Sequence, residues 1–347
     1  MNELTMKDTS SVVIARIWNW RITAICGLLL AIVAIAAVSF GPIHIGFVQV
    51  FKTLVGFPDG LSNQSQTVIM QLRLPRVVLG ALVGAALATS GAVYQTVFHN
   101  PLADPYLLGA ASGAGLGATI ALTSTHHNVV ALLPLFAFLG GILAVLTSFF
   151  VSGKFFAEPN TLLLSGIAVG SFATAIQTYL QQRHTAQLRP VYSWILGDLT
   201  AASWNVVAWS SIYIAIALII LFTVAKQLDG LMLTDGEAFS LGINPNRLRI
   251  LAVGAATLAT ATAVSASGLI GFVGIVVPHL VRGVTRRVTN RSLVSIALVG
   301  AAFLVLADLG ARTLLSPAEL PIGVITAFVG APFFLFVLRN RRKANIS

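Results

Sequence analysis

Arg73 and Arg76, three residues apart in "LRLPRVVLGALVG", are permanent cations standing directly ahead of a long apolar run. Pro75 between them suits the first turn of a helix, where its missing N–H would be unpaired anyway. The pair would then sit at the positive end of that helix's dipole, where a cation is disfavoured by a few tenths to ~1 kcal/mol. Such cations either snorkel to lipid headgroups or present positive charge to a partner. A third arginine, Arg312, follows Asp308 by four residues in "ADLGARTLL", the spacing of an intrahelical ion pair. An acid inside an apolar stretch seeks such a partner, because unpaired charge in hydrocarbon is expensive. Glu319, in "SPAELPIG", could hold Arg312 as well.

Other chemistry is missing from the sequence. The one Gly-Lys pair, Gly153-Lys154, is followed by Phe155 and lacks a glycine-rich approach, so ATP hydrolysis by a Walker A loop is excluded. His126 and His127 are adjacent, and His44, His99, His184 and His279 are isolated; none has metal-ligand spacing. No Ser/His/Asp or paired-carboxylate pattern points to catalysis, so no catalytic residue and no metal are expected, and the chain reads as no enzyme. Asp104, between prolines in "NPLADPYLLG", reads as a turn. No relay of acids runs through the apolar segments, which disfavours a proton-driven carrier; Asp308 is the sole candidate.

The elements that must carry these residues are membrane helices. The chain is 56% hydrophobic and only 9% charged, where a soluble domain has about a quarter of its residues charged. A spanning helix needs ~20 mostly apolar residues. Hydropathy places segments at 22–40, 75–97, 106–123, 129–151, 161–180, 206–225, 248–266, 268–281, 292–311 and 321–338. The expected fold is all-α: a polytopic protein of about ten transmembrane helices. The eighth segment is short and interrupted by Gly268, Gly271 and Gly274, which is tolerated at depth only beside protein or a water-filled cavity. The first run, Ile22–Phe40, exceeds the usual ~7–15-residue apolar core of a signal peptide and reads as a retained span. Cys26 is the single cysteine, so no intrachain disulfide is possible.

With ten spans both ends share one side. That side collects fifteen Lys and Arg residues and the other six, Lys52, Arg73, Arg76, Arg183, Arg189 and Arg312. The positive-inside rule then puts both termini in the cytoplasm and Arg73 and Arg76 outside. The expected domains are a cytoplasmic segment 1–21, a ten-helix domain 22–338 and a cytoplasmic tail 339–347. Net charge of +10 is scattered among short connections rather than gathered on one surface, so nucleic acid is not an expected partner. Small residues recur at spacing four, as Gly80/Gly84, Gly109/Gly113/Gly117 and Gly166/Gly170, which lets helices approach closely in lipid.

"KQLDGLMLTDGEAFSLGINPNRLR", between the sixth and seventh spans, is too polar to cross. Leu228, Leu231, Met232, Leu233, Phe239, Leu241 and Ile243 keep it amphipathic, and Gly230, Gly236 and Gly242 divide it into short helices. Such a segment lies on the membrane surface or docks another protein.

Four stretches, "RLPRVVLGALVGAALATSGAVYQ", "NPLADPYLLGAASGAGLGA", "GLIGFVGIVVPHLVR" and "LADLGARTLLSPAELPIGVITAFVGAPFFLFVLR", run in order from Arg73 to Arg339. In them the chain resembles the FecCD-type permeases, subunits of binding-protein-dependent ABC importers for iron chelates, haem and cobalamin. The resemblance implies a homo- or heteromeric permease dimer in a bacterial cytoplasmic membrane. Two separate ATPase subunits would bind ATP and Mg below it, and a periplasmic or lipid-anchored substrate-binding protein would dock above; this chain itself binds no cofactor. It implies that Arg73, Arg76 and Arg312 receive acidic side chains of the binding protein. Exposed pairs contribute only ~0–1 kcal/mol each and so would set orientation and encounter rate. Segment 228–246 would supply coupling helices, with Glu237, Ser240, Leu241, Gly242, Asn244 and Arg247 facing the ATPase. Ser165, Gly166 and Gly170 match the helix lining the pathway. Pro159 and Asn160, in "EPNT", match the inner gate but replace the small hydroxyl residues of some relatives. The expected cargo is a ferric siderophore, with haem or cobalamin as alternatives. From another class, an autonomous channel or ion-coupled transporter would use Asp308.

Overall fold

The structure, a computed structural model, describes residues 3–41, 45–56, 62–124, 132–153, 159–285 and 292–344, without the side chains of 3–19, 54, 159, 160, 285, 338 and 340–344. The chain enters through α1 (Glu3–Ser39), the short α2 (Phe47–Leu54) and α3 (Asn63–Thr67). There follow α4 (Leu74–Val97), α5 (Ala110–Thr123), α6 (Leu133–Val151), α7 (Pro159–Arg183) and the short α8 (Leu188–Ile195). The second half holds α9 (Trp204–Leu228), α10 (Asp235–Ser240), α11 (Pro245–Ser267), α12 (Val273–Thr285), α13 (Leu293–Thr313) and α14 (Ile322–Ala344). No strand occurs among the described residues.

Seven stretches are long and apolar enough to cross a membrane: Trp20–Ser39, Asn63–Val97, Leu133–Val151, Thr161–Arg183, Trp204–Met232, Pro245–Ser267 and Leu293–Thr313. Three shorter apolar helices, Ala110–Thr123, Val273–Val284 and Ile322–Val337, fall on the remaining predicted segments. The expected all-α, multi-span architecture is therefore the observed one. Helix α1 starts at Glu3 and α14 continues to Ala344, beyond the apolar limits at 22 and 338.

Helix α4 is the hub. It packs against α9, α11, α12 and α13, while α5, α6 and α7 form a second group joined to it through α11. Lipid tails are as apolar as leucine, so close packing rather than water exclusion must hold such helices together. The glycines supply it. A methyl on Gly84 would enter the backbone carbonyl of Gly300 on α13, one on Gly91 that of Gly274 on α12, and one on Gly113 that of Gly140 on α6. Spacing within one helix marks Gly84 and Gly113; their facing glycines, Gly300 and Gly140, and the pair Gly91 and Gly274 carry no such signal. Buried hydroxyls are satisfied internally, as lipid requires. Ser90 donates to the Ala256 carbonyl at 3.0 Å, and Tyr94 shares a 2.8 Å bond with Thr257.

Two expectations about helix ends are corrected. Helix α4 does not begin at Pro75: α3 and a π-helical turn, Val68–Arg73, precede it, giving one helix from Asn63 to Val97. In that wide turn the Leu74 N–H reaches back to the Ile69 carbonyl, which accommodates a residue without an N–H. Arg73 and Arg76 therefore escape the dipole penalty of a free helix start. The eighth segment begins at Val273 rather than 268, because Gly268 and Phe272 both take positive φ, +70° and +69°. The break is knitted to its neighbours. The Asp198 N–H donates to Ser267 O at 2.9 Å, and the Tyr106 hydroxyl donates to Ile270 O at 3.0 Å.

Candidate functional site

Functional side chains gather at the two ends of the bundle. At the end where α1 stops, three guanidinium groups meet two carboxylates. Arg76 Nε donates to both Asp308 oxygens at 2.9 and 3.2 Å, and its Nη2 lies 2.8 Å from Asp308 Oδ1. The same guanidinium holds Glu319 at 2.9 and 3.3 Å. Glu319 thus pairs with Arg76, not with Arg312 as its sequence position suggested. Arg312 Nε approaches Asp308 Oδ2 at 3.3 Å, the expected i,i+4 pair.

The outer nitrogens of Arg73 and Arg312 are engaged elsewhere. Arg73 Nη1 donates to the carbonyls of Val38 and Ser39 at 2.8 and 2.9 Å, and Arg312 Nη2 to Ala37 O at 2.8 Å. These are carbonyls of the last turn of α1, which a helix leaves without partners and where its dipole is negative. Gly41 makes room, since a methyl there would stand 2.7 Å from Arg73 Nη2. Arg73 and Arg312, expected at the outer face, are buried, at 5% and 4% exposure, and staple α1 to α4 and α13. Arg76 and Glu319 reach the rim, beside a cavity of about 110 Å³ that Asp198 and Thr200 also line.

At the opposite end the 228–246 segment is a knob braced by its own hydrogen bonds and an ion pair. Asp229–Met232 forms a 3-10 turn, and Thr234 opens α10 with a reciprocal capping box. The Thr234 N–H and hydroxyl donate to Glu237 Oε2 at 2.9 and 2.8 Å, and the Glu237 N–H returns to the Thr234 hydroxyl. The Thr234 backbone bond, then its hydroxyl bond, holds the Glu237 carboxyl below the usual carboxylate range. Ser240 donates to Glu237 O, Gly242 turns the chain at φ +76°, and Asn244 caps α11 through the Arg247 N–H at 3.1 Å. Arg249 binds Asp235 at 2.8 Å, tying α10 to α11, a partnership the sequence reading missed. The apolar residues divide: Leu228 and Leu231 are buried, whereas Met232, Leu233, Phe239 and Leu241 are exposed, Leu241 by 65%.

The expected pathway residues lie on the inward face of α7. Ser165 donates to Ser148 O on α6 at 2.8 Å. Gly166 and Gly170 sit against Leu108, Gly109 and Ser112, where a side chain would intrude. Their smallness serves close packing within the subunit, and the open face of α7 carries Leu164, Ile167, Ser171, Phe172 and Thr178 instead. Pro159 and Asn160 open α7; their side chains, and the preceding Glu158, lie outside the described residues.

Residues 29–340 match the family model described as the FecCD transport family. The chain belongs to that family. Among relatives of this FecCD chain, the cobalamin import system permease BtuC of Halobacterium salinarum is 40% identical over 283 residues, covering 81% of this chain and 76% of that protein. The Fe(3+) dicitrate transport system permease FecD of Escherichia coli is 35% identical over 314 residues, covering 89% and 96%. Among solved structures, a metal-chelate type ABC transporter in an inward-facing conformation superposes with a TM-score of 0.82 at 30% identity, covering 92% of this chain and 99% of that one. This FecCD protein is accordingly a multi-span ABC-importer permease of the cytoplasmic membrane, a transport subunit rather than an enzyme, and ATP binding belongs to a separate subunit.

Proposed function

We propose that this permease carries an iron chelate of the ferric siderophore kind into a bacterial cell, as one half of a permease dimer. Two ATPase subunits drive it from the cytoplasm and a substrate-binding protein feeds it from outside. The observation that carries this reading is the apolar face of a braced, polar, non-spanning segment. Met232, Leu233, Phe239 and Leu241 stand exposed on a knob already braced by a capping box and an ion pair. A knob of that kind fits a groove in a partner better than a mobile loop does, because little ordering cost remains on binding. The Lys and Arg count supports cytoplasmic termini, a cytoplasmic 1–21 segment and 339–347 tail, and a ten-helix domain over 22–338.

On the outer side Arg76 is the arginine best placed for docking. An acidic side chain of the binding protein would replace the half-exposed Glu319 on its guanidinium. Arg73 and Arg312 contribute by fixing the end of α1 around it. Asp308 is held by two arginines, which suits a structural anchor better than the proton relay of an ion-coupled transporter. The open face of α7, with Ser171 and Thr178, would line the pathway, and Pro159 and Asn160 the inner gate. Partner-driven closure would then shift the balance between outward and inward access.

FecD's iron substrate favours an iron cargo; the identity with BtuC makes cobalamin the second reading. Uptake of labelled ferric siderophore, haem and cobalamin by a deletion strain carrying this gene tests the choice. Ferric siderophore uptake alone is expected, and cobalamin uptake without iron uptake would overturn it. Transport by the purified chain without partners would overturn the class.

A further inference from the structure

His99 stands where α4 ends. The His99 N–H reaches Thr96 O at 3.3 Å and the Asn100 N–H reaches back to Gln95 O at 3.1 Å, the pattern of a left-handed helix stop. The backbone at His99 has φ +50°. Glycine, then asparagine, is usual at such a position, and a larger residue there is uncommon. The histidine ring has a use that glycine could not supply. Its Nε2 lies 2.6 Å from the carbonyl oxygen of Leu231. A carbonyl can only accept, so Nε2 carries the proton and donates.

Leu231 belongs to the 3-10 turn Asp229–Met232, which packs directly against α4 and leads within two residues into the Thr234 cap. Its side chain is buried, and the adjacent Gly230 is covered by Ile243. The knob is thus tied to two core helices, to α11 through Asp235–Arg249 and to α4 through Leu231–His99. The second tie reaches the helix whose glycines seat against α12 and α13.

We infer that His99 is a positioning residue for energy coupling. It fastens the 229–232 turn to the end of α4, so that displacement of α10 by an ATPase moves the hub helix instead of being absorbed in the turn. This rests on the reading of 228–246 as the ATPase-docking segment given above.

The test uses the complete transporter, purified with its ATPase subunits and reconstituted with its binding protein, carrying His99→Gly or His99→Gln. Glycine keeps the left-handed backbone and removes the ring; glutamine restores an N–H donor. With His99→Gly, assembly, melting temperature and ATP hydrolysis should stay near wild type. Substrate moved per ATP should fall roughly fivefold, the weight of one hydrogen bond in a two-state balance. His99→Gln should recover a large part of that loss. Wild-type stoichiometry in His99→Gly overturns the inference, and so does loss of assembly or of hydrolysis, which would make the residue merely structural. Leu241→Asp, run in parallel, separates the two readings. If it leaves the subunits bound and coupled, the docking segment is wrong. If it uncouples them while His99→Gly does not, only the role of His99 falls.

Discussion

Arg76 and Asp308 face each other at 2.8 Å across the contact between α4 and α13. Asp308 is almost fully buried and also neighbours Arg312, so one carboxylate serves a buried guanidinium, Arg312, and one at the rim, Arg76. Replacing it with a neutral isostere leaves Arg312 buried without a counter-charge, while Arg76 keeps Glu319, and breaking a buried pair from one side costs about 3–5 kcal/mol. Asp308→Asn should lower the thermal unfolding midpoint of the detergent-solubilised protein markedly, and Arg76→Gln should do so less, because Asp308 would retain Arg312. An unchanged midpoint in Asp308→Asn would show that the network adds nothing to stability.

The hub contact between α4 and α13 is set by Gly84 and Gly300. Gly84→Ala puts a methyl into the Gly300 carbonyl, and overpacking of this kind costs about 1–3 kcal/mol. Gly254→Ala on α11 is the control, since a methyl there meets nothing within 4 Å and alanine is the better helix former. The first variant should melt lower than wild type and the second no lower. Equal melting of the two would mean that α4 and α13 are not held at glycine distance.

What was legible beforehand follows from range. Apolar runs of spanning length announce themselves, and each of the ten segments holds a helix among the described residues, seven of them long enough to cross, because a helix pairs its own backbone polar groups in lipid. The eight-residue helices α2 and α8 escaped notice because so short a helix has neither the length nor the uniform hydropathy of a span. The arginines were visible, but their partners were not. Arg73 is satisfied by main-chain carbonyls thirty-four and thirty-five positions away, and Arg76 by acids more than two hundred residues on. A carbonyl that accepts leaves no trace in residue type. Asp308 and Arg312 were paired correctly because a helix brings i and i+4 together. His99 reads in the sequence only as an isolated histidine without metal-ligand spacing, because a lone histidine shows its partner only through its backbone angle and the carbonyl it meets.

Glu237 gives the knob a pH signature. Its carboxyl titrates below the ordinary value because it accepts from Thr234 when charged. A depressed folded value means the cap's contribution is fully present above the unfolded pKa and is lost as pH falls through the folded one. Amide exchange across 234–241 should therefore be protected near neutrality. It should lose protection, relative to the rest of the chain, as pH falls from the ordinary glutamate value through the lowered one. Glu237→Gln should flatten that dependence, and an identical pH profile in both proteins would count against the cap as its origin.

The exposed apolar residues of the knob should matter to assembly and not to folding. Phe239 and Leu241 are 56% and 65% exposed, so Phe239→Asp and Leu241→Asp remove little packing from the isolated chain. Surface changes of this kind usually stay within about 0.5 kcal/mol. In a partner's groove the same carboxylates would be desolvated without a counter-charge, which costs several kcal/mol. Both variants should melt like wild type, yet fail to retain the ATPase subunits when the complex is drawn out through a tag on the permease. Retention of those subunits with normal turnover would assign the knob to the membrane surface, the other fate open to an amphipathic segment of this kind.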